Sequence, residues 1–289
     1  MKSLTVESQN KQIQTLVNIL IATVLIGALI FTLIPILFMF SASMMPSKDI
    51  LKMPFRWIPQ GFHWQNFAKA IAGNDESYIF IRNFFNSILV SVIVTLTTVI
   101  LSCVTGYGLA KFKFKGRNLV FLAIMATMMI PFEAIMIPLY LVATKLHLQN
   151  SYGGLTLPFL VNAFGVFMMR QYLLPFPDEF LDATRIDGAG EIRIFWEVVL
   201  PNCAPAIATL SILTFRSQWD NLLWPLLISQ SEKMKTLPLY IVKFAAEKYT
   251  DEGAMMAVAV LGSIPMLILF FTMSRYFVSG ASVFSSRKG

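Results

Sequence analysis

Charge is the first thing this sequence has little of. Only 13% of its 289 residues are Asp, Glu, Lys or Arg, against about 25% in a usual soluble domain. There are 2 cysteines and 2 histidines. Cys103 and Cys203 lie in or beside apolar segments, too few for a disulfide framework and without metal-ligand spacing, so they read as small buried hydrophobes. His63 and His147 stand apart from each other and from any acidic cluster, which leaves no metal constellation. The chain has no Gly-x-x-x-x-Gly-Lys-Ser/Thr phosphate loop and no Gly-x-Ser-x-Gly elbow. These absences argue against catalysis by the chain itself. Any uphill work it takes part in must draw its energy from elsewhere. The net charge of +7 comes without a basic stripe interleaved with aromatics outside the apolar runs, so nucleic acid is not an expected partner.

Apolar residues are what the chain has in excess, at 56%, with 25 Phe and 16 Met. Several apolar runs exceed ~18 residues, enough to cross a bilayer. The expected fold is all-α: a polytopic membrane protein with six transmembrane helices in contact with membrane lipid. The expected spans are roughly 16–40, 86–110, 119–143, 151–174, 202–229 and 254–278. The first is too long for the apolar part of a signal peptide. Residues 1–15 read as an aqueous tail, 16–280 as the membrane domain, and 281–289 as a second tail that ends in Arg287-Lys288.

Orientation follows from Lys111-Phe112-Lys113-Phe114-Lys115-Gly116-Arg117, a short basic stretch between two apolar runs. Such stretches stay on the cytoplasmic side. Six spans then put both termini, and the polar loop at 177–201, on that same side.

That loop is the main polar island of the chain. Asp178 after Pro177 reads as an N-cap, and 179–186 as a short helix. Gly188 and Gly190 permit a reversal. Residues 191–199 read as a second helix, stopped by Pro201. Ile186, Ile192, Phe195, Trp196 and Val199 supply more apolar surface than a free loop needs. The loop therefore reads as a helix-bend-helix docking element for a cytoplasmic partner, or as an anchor in the membrane interface.

Polar groups inside the expected spans mark a second candidate site. Glu133 lies between Pro131 and Pro138. An ionisable residue at membrane depth is costly unless it faces protein or a water-filled cavity. Arg216, Trp219, Asp220, Asn221 and Trp224 fall in the fifth expected span. Positions 216, 220 and 224 would share one helix face. Aromatic rings beside hydrogen-bonding groups suit a sugar, whose apolar face stacks while its hydroxyls bond. The plainer reading is an ion pair between Arg216 and Asp220 at i,i+4.

At this point the residues resemble a known family. Asp182-Ala183-Thr184-Arg185-Ile186-Asp187-Gly188-Ala189, followed by Leu200-Pro201, resembles the EAA loop of ABC-importer permease subunits. Asp182 stands where the pattern has Glu, and Thr184 where it has the second Ala; Asp187 and Gly188 match outright. Trp219-Asp220-Asn221-Leu222-Leu223-Trp224-Pro225-Leu226 is similar to carbohydrate-importer permeases of the maltose type, with Asp220 and Asn221 in swapped order. The resemblance implies a permease of a binding-protein-dependent sugar importer in a bacterial or archaeal cytoplasmic membrane. It implies a second homologous permease, two cytoplasmic ATPase subunits and an extracytoplasmic substrate-binding protein as partners. ATP and Mg would be used by those ATPases, with no cofactor in this chain. Asp182, Ala183, Thr184, Asp187, Gly188 and Ala189 would couple to the ATPase. Glu133, Arg216, Trp219, Asp220, Asn221 and Trp224 are the candidate pathway residues. Arg216 would admit an anionic sugar. A non-transporting scaffold or sensor that docks a cytoplasmic partner is the alternative.

Overall fold

The computed structural model describes residues 2–50, 52–54, 56–73, 77–246 and 251–285, with side chains only between 13 and 274. The expected Arg287-Lys288 tail lies outside the described residues. Among the described residues every regular element is helical. Helix α1 is Lys2–Ala42, so the amino-terminal tail continues into the first span without a break. A single turn at Ser47–Ile50 and α2, Gln65–Ala72, follow. Helix α3 is Ile79–Lys111, α4 is Arg117–Thr127 and α5 is Phe132–Lys145. Helix α6, Tyr152–Thr156, runs into a 3-10 turn, Leu157–Phe159, and α7 is Ala163–Leu173. Helix α8 is Asp178–Ile186 and α9 is Glu191–Ile194. Helix α10 is Ala204–Trp219 and α11 is Leu223–Ile228. Helices α12, Leu237–Ala246, and α13, Glu252–Ser285, complete the chain.

The protein is an all-α polytopic membrane protein, and half of its spans are bent. Ile13–Ala42, Ile79–Lys111 and Glu252–Ser274 are each long and apolar enough to cross a membrane unbroken. Three more spans exist only if bent pairs count as one each. The pair α4 and α5 meets at 93°, α6 with its 3-10 turn and α7 at 42°, and the stretch Glu191–Asn202 and α10 at 77°. The third expected span is therefore not a straight rod. Pro131, whose ring fixes φ and which lacks an N–H, ends the break at 128–131 and starts α5. The fifth expected span also differs. Helix α10 stops at Trp219, and α11 begins only at Leu223.

The chain divides into two compact units, one of Met1–Ala70 with Lys248–Leu261, the other of Ile71–Glu247 with Gly262–Gly289. In the first, the buried Asn66 amide donates to the carbonyls of Ser43 at 2.9 Å and Met45 at 2.7 Å. Lys69 Nζ lies 2.7 Å from Asp251 Oδ2. The Ser47 hydroxyl donates to Asp251 and accepts the Gly253 N–H at 3.0 Å.

The second unit is built along α3. Its buried positions Asn83, Ser87, Ser91, Thr95, Thr98 and Ser102 recur every three or four residues, as one face of a helix does. In lipid there is little hydrophobic gain from joining two apolar helices, so small residues that allow close backbone approach drive packing. A Cβ on Gly106 would lie 2.7 Å from the Met169 Cβ, and one on Gly165 only 2.4 Å from Ser102 Oγ. Helix α7 thus sits nearly backbone to backbone on α3. At one end of this packing Cys103, Tyr107, Met169, Leu173, Leu181, Ile194, Phe195, Val199 and Cys203 form a core with the first turns of α10. Elsewhere Val90, Val94, Ala143, Leu155, Trp224 and Ile228 form another.

Candidate functional site: a docking loop and a cavity at three helix breaks

The 177–201 loop folds as helix, bend, helix. Helix α8 starts one residue earlier than its sequence suggests, and Asp178 does not cap it. Pro177 holds the cap position in extended conformation, and no side chain caps the helix. The Asp178 carboxylate turns instead to Lys111 Nζ, 2.7 Å away, and the same ammonium donates to the Phe176 carbonyl. The reversal rests on Gly188 alone, at φ +83°. Its N–H donates to Arg185 O at 3.0 Å, and the Ala189 N–H to Thr184 O at 3.1 Å. Gly190 is extended at φ −75°. Pro201 does not stop the second helix. Its ring crowds the carbonyl four residues back, and the chain widens into a π-helical turn, Phe195–Val199, before a last turn at Leu200–Asn202.

A chain of charges fastens the two short helices to each other and to α3. Asp182 Oδ1 pairs with Arg185 Nη1 at 2.7 Å, and Arg185 Nε with Glu191 Oε1 at 2.8 Å. Tyr107 OH donates to the other Glu191 oxygen at 2.9 Å. Hydrogen bonds to both carboxylates hold the Arg185 guanidinium well above its ordinary pKa. Leu181, Ile194, Phe195 and Val199 face the core, whereas Ile186 is 86% exposed and Ile192 79%, with Phe180 and Trp196 also outward. Of the expected docking residues, Ala183, Asp187 and Gly188 are exposed and Thr184 and Ala189 half-buried. The Thr184 hydroxyl is used within its own helix, on Phe180 O at 2.8 Å.

The tie to α3 has a pH signature. The hydrogen bond from Lys111 holds the Asp178 carboxyl below its ordinary pKa. A lowered folded-state pKa contributes stability above the unfolded value, about 4, and loses it as pH falls through the lower folded value. The protection of the amides across Asp178–Ile186, measured as the ratio of the intrinsic to the observed exchange rate, is expected to stay flat from about pH 7 to 5 and to fall only below about pH 4. Asp178→Asn, which leaves the Lys111 ammonium, 6% exposed, without its counter-charge, should raise exchange already at neutral pH. Equal exchange in the variant and wild type would show that the pair fastens nothing.

The second site is an open cavity of about 670 Å³ lined by Thr127–Ile135, Pro158–Phe164 and Thr214–Leu223 segments. These segments hold the break between α4 and α5, the break before α7, and the break between α10 and α11. Non-helical backbone at membrane depth is tolerated where it lines a water-filled cavity or is buried in protein. The breaks are themselves satisfied. Thr98 Oγ1 donates to Phe159 O at 3.2 Å, and Asn162 Oδ1 caps α7 by accepting the Gly165 N–H at 3.3 Å.

The cavity gathers only part of the expected pathway set. Glu133, Asp220 and Asn221 line it, joined by Asn162, Thr214, Ser217 and Gln218, which are not in the expected pathway set. Arg216 does not line it; its Nε lies 3.5 Å from Asp220 Oδ2, the plainer of the two readings. Because α10 ends at Trp219, positions 216, 220 and 224 share no common helix face. Trp219 and Trp224 stand behind the wall. Trp219 is 5% exposed and Trp224 0%. Their Nε1 groups are spent on Gly262 O at 3.0 Å and Gly154 O at 2.8 Å. The rings that do border the space belong to Phe132, Phe159 and Phe164. Half-broken spans flanked by proline, at 131 and 158, were the available signal for this site.

Bent apolar helices around an open cavity lined by both polar and apolar side chains suit a membrane transporter subunit. The chain belongs to the family described as the binding-protein-dependent transport system inner membrane component, whose model matches residues 99–283. It is 34% identical to the arabinooligosaccharides transport system permease protein AraQ of Bacillus subtilis over 253 residues, 87% of this chain and 89% of that one. It is 34% identical to the sn-glycerol-3-phosphate transport system permease protein UgpE of Yersinia enterocolitica over 261 residues, 89% of this chain and 92% of that one. A crystal structure of a bacterial ABC transporter involved in the import of the acidic polysaccharide alginate contains a similar chain. There the TM-score is 0.78 with 26% identity, over 89% of this chain and 95% of that chain. The protein is thus an ABC-importer permease subunit, and membership of this family does not favour the scaffold reading. In general terms the family implies a partner permease, an ATPase and a binding protein.

Proposed function

We infer that this permease imports a neutral oligosaccharide or similar polyhydroxyl solute, with a second homologous permease completing the pathway. Two cytoplasmic ATPase subunits receive the 177–201 loops, and an extracytoplasmic binding protein delivers the solute. ATP and Mg belong to the ATPases, and this chain catalyses nothing. Residues 16–280 act as the membrane domain of a bacterial or archaeal cytoplasmic membrane, with the tails 1–15 and 281–289 and the 177–201 loop in the cytoplasm. Asp182, Ala183, Thr184, Asp187, Gly188 and Ala189 form the ATPase-facing edge.

The observation that carries the docking reading is the exposed apolar rim of an otherwise braced loop, Ile186 and Ile192 above all. A rim held in place by an ion-pair chain is ready to be covered by a partner. The solute class rests on the cavity lining: two carboxylates, Glu133 and Asp220, with amides, hydroxyls and three Phe rings, and no lysine, arginine or histidine among the lining residues. Hydroxyls suit that wall and anions do not. Arg216, which would have favoured an anion, does not line the cavity.

The test uses the importer reconstituted with its ATPases and binding protein. Ile186→Glu with Ile192→Glu should cut uptake at least about tenfold, because two apolar contacts become charged, with the chain inserted as before. Glu133→Gln with Asp220→Asn should leave ATPase binding intact but weaken transport of a neutral oligosaccharide relative to an acidic one. Full uptake by the first variant would sink the docking reading. An unchanged preference in the second would sink the solute class.

A further inference from the structure

We propose that α3 is a strut that locks the external 232–237 loop to the cytoplasmic docking loop, and that Asn83, Asn86 and Ser87 are its positioning residues. The proposal rests on the reading that the 177–201 loop meets an ATPase.

Three observations carry it. The first is what the buried amides at the start of α3 are used for. Asn86 Nδ2 donates to Lys233 O at 2.9 Å and to Lys235 O at 2.8 Å. Asn83, its amide nitrogen turned to the same loop, donates to Glu232 O at 2.9 Å and Lys235 O at 3.0 Å. Ser87 Oγ accepts the Leu237 N–H at 2.8 Å, and Tyr152 OH fixes Asn86 by donating to its Oδ1 at 2.7 Å. The three α3 side chains are 0%, 1% and 2% exposed. A buried polar group without partners is costly. Here the side chains bond to the backbone of a single loop, so the loop's position is tied to the helix regardless of its own side chains.

The second is the other end of the same helix. Tyr107 holds Glu191, and Lys111 holds Asp178 and the Phe176 carbonyl. The docking loop is therefore gripped by α3 through both of its short helices. From Asn86 to Tyr107 the helix rises about 32 Å, close to the ~30 Å of a bilayer's hydrocarbon core.

The third is what lies between the grips. Of the helices long and apolar enough to cross unbroken, α1 contains Pro35 and α13 contains Pro265, whereas α3 contains no proline. Three other spans are bent at breaks. The span with fastenings at both ends is thus the one of these three without a proline, and the glycine between its fastenings, Gly106, is packed against Met169. Movement imposed on the docking loop is delivered to 232–237 as displacement of a rod, and is not absorbed in a hinge.

Spin labels at Glu179→Cys and Lys233→Cys report on this directly, since both positions are exposed while Cys103 and Cys203 are buried. In the assembled importer the label-to-label distance should be narrow. It should change by no more than about 2 Å between the nucleotide-free state and a state loaded with a non-hydrolysed ATP analogue. Asn86→Ala with Ser87→Ala should broaden that distance. The same variant should lower binding-protein-stimulated ATP hydrolysis about five- to tenfold while hydrolysis without the binding protein stays as in wild type. A wild-type distance that shifts by several ångströms would overturn the strut, and so would a narrow distance with full stimulation in the variant. Should that variant fail to accumulate, the wild-type distance still decides, and Tyr152→Phe, which removes one hydroxyl, supplies the milder release. Because these readings are taken within one chain, they can fail while the Ile186 and Ile192 variants still support docking, and the reverse.

Discussion

Replacing Gly188 by Val is expected to abolish ATP-driven uptake while the protein still inserts and accumulates in the membrane. Gly188 sits at φ +83°, where an L-residue with a branched Cβ clashes with its own backbone. A left-handed conformation costs roughly 1–2 kcal/mol for an ordinary residue, and more for one branched at Cβ. Space is not the obstacle, since a Cβ there would meet nothing within 4 Å. The strain is therefore relieved by re-aiming the bend, not by disturbing a core. The bend sets where Ile186 and Ile192 point, so a modest change in backbone angle misplaces the whole apolar rim. Uptake should fall by at least about tenfold, as even 1.4 kcal/mol of lost contact would produce. Gly190→Val, at an extended φ of −75°, should be far milder. Equal losses at the two glycines, or normal uptake in Gly188→Val, would show that the bend angle does not matter for coupling.

The second large effect concerns stability. Trp224→Ala should lower membrane abundance sharply and destabilise the purified protein by about 3–5 kcal/mol. Trp224 is fully buried, packs edge-on to Phe132 at 6.0 Å and Phe159 at 6.4 Å, and donates to Gly154 O at 2.8 Å. It joins the three helix breaks around the cavity: Phe132 opens α5, Phe159 closes the 3-10 turn before the second break, and Trp224 itself is in α11. Its removal leaves a void and an unpaired carbonyl together. The melting temperature in detergent should drop by on the order of 10 °C. Glu133→Gln, on the exposed side of the same cavity wall, should scarcely move it. A Trp224→Ala protein as stable as wild type would mean that the breaks are held by something other than this ring.

The membrane class was legible from composition, because runs of apolar residues longer than a soluble core needs have one common use. The helix-bend-helix shape of the 177–201 loop was legible too, since proline and glycine mark its start and bend by their own backbone limits. Its finer features were not. Asp178 has the chemistry of a cap, but Lys111, distant in sequence, offered a stronger partner. Pro201 normally ends a helix, yet a widened turn let the chain pass it. Hydropathy, which averages over a window, joined α4 to α5 and α10 to α11 across breaks of three or four residues. The cavity depends on those breaks, so its membership was only half readable. Glu133, Asp220 and Asn221 stood out as polar residues in apolar runs. Trp219 and Trp224 stood out equally, but a sequence cannot say whether an indole faces a solute or reaches back to a carbonyl.

The cavity walls hang from half-length helices, whereas the packing that supports them runs along α3. A substitution at Glu133, Asn162 or Asp220 changes one wall at the end of one short helix, and leaves the Ser102–Gly165 and Gly106–Met169 contacts as they were. Selection can therefore refit the chamber to solutes of another size or charge one wall at a time. The 177–201 loop need not change with it, which lets a single chassis serve many diets.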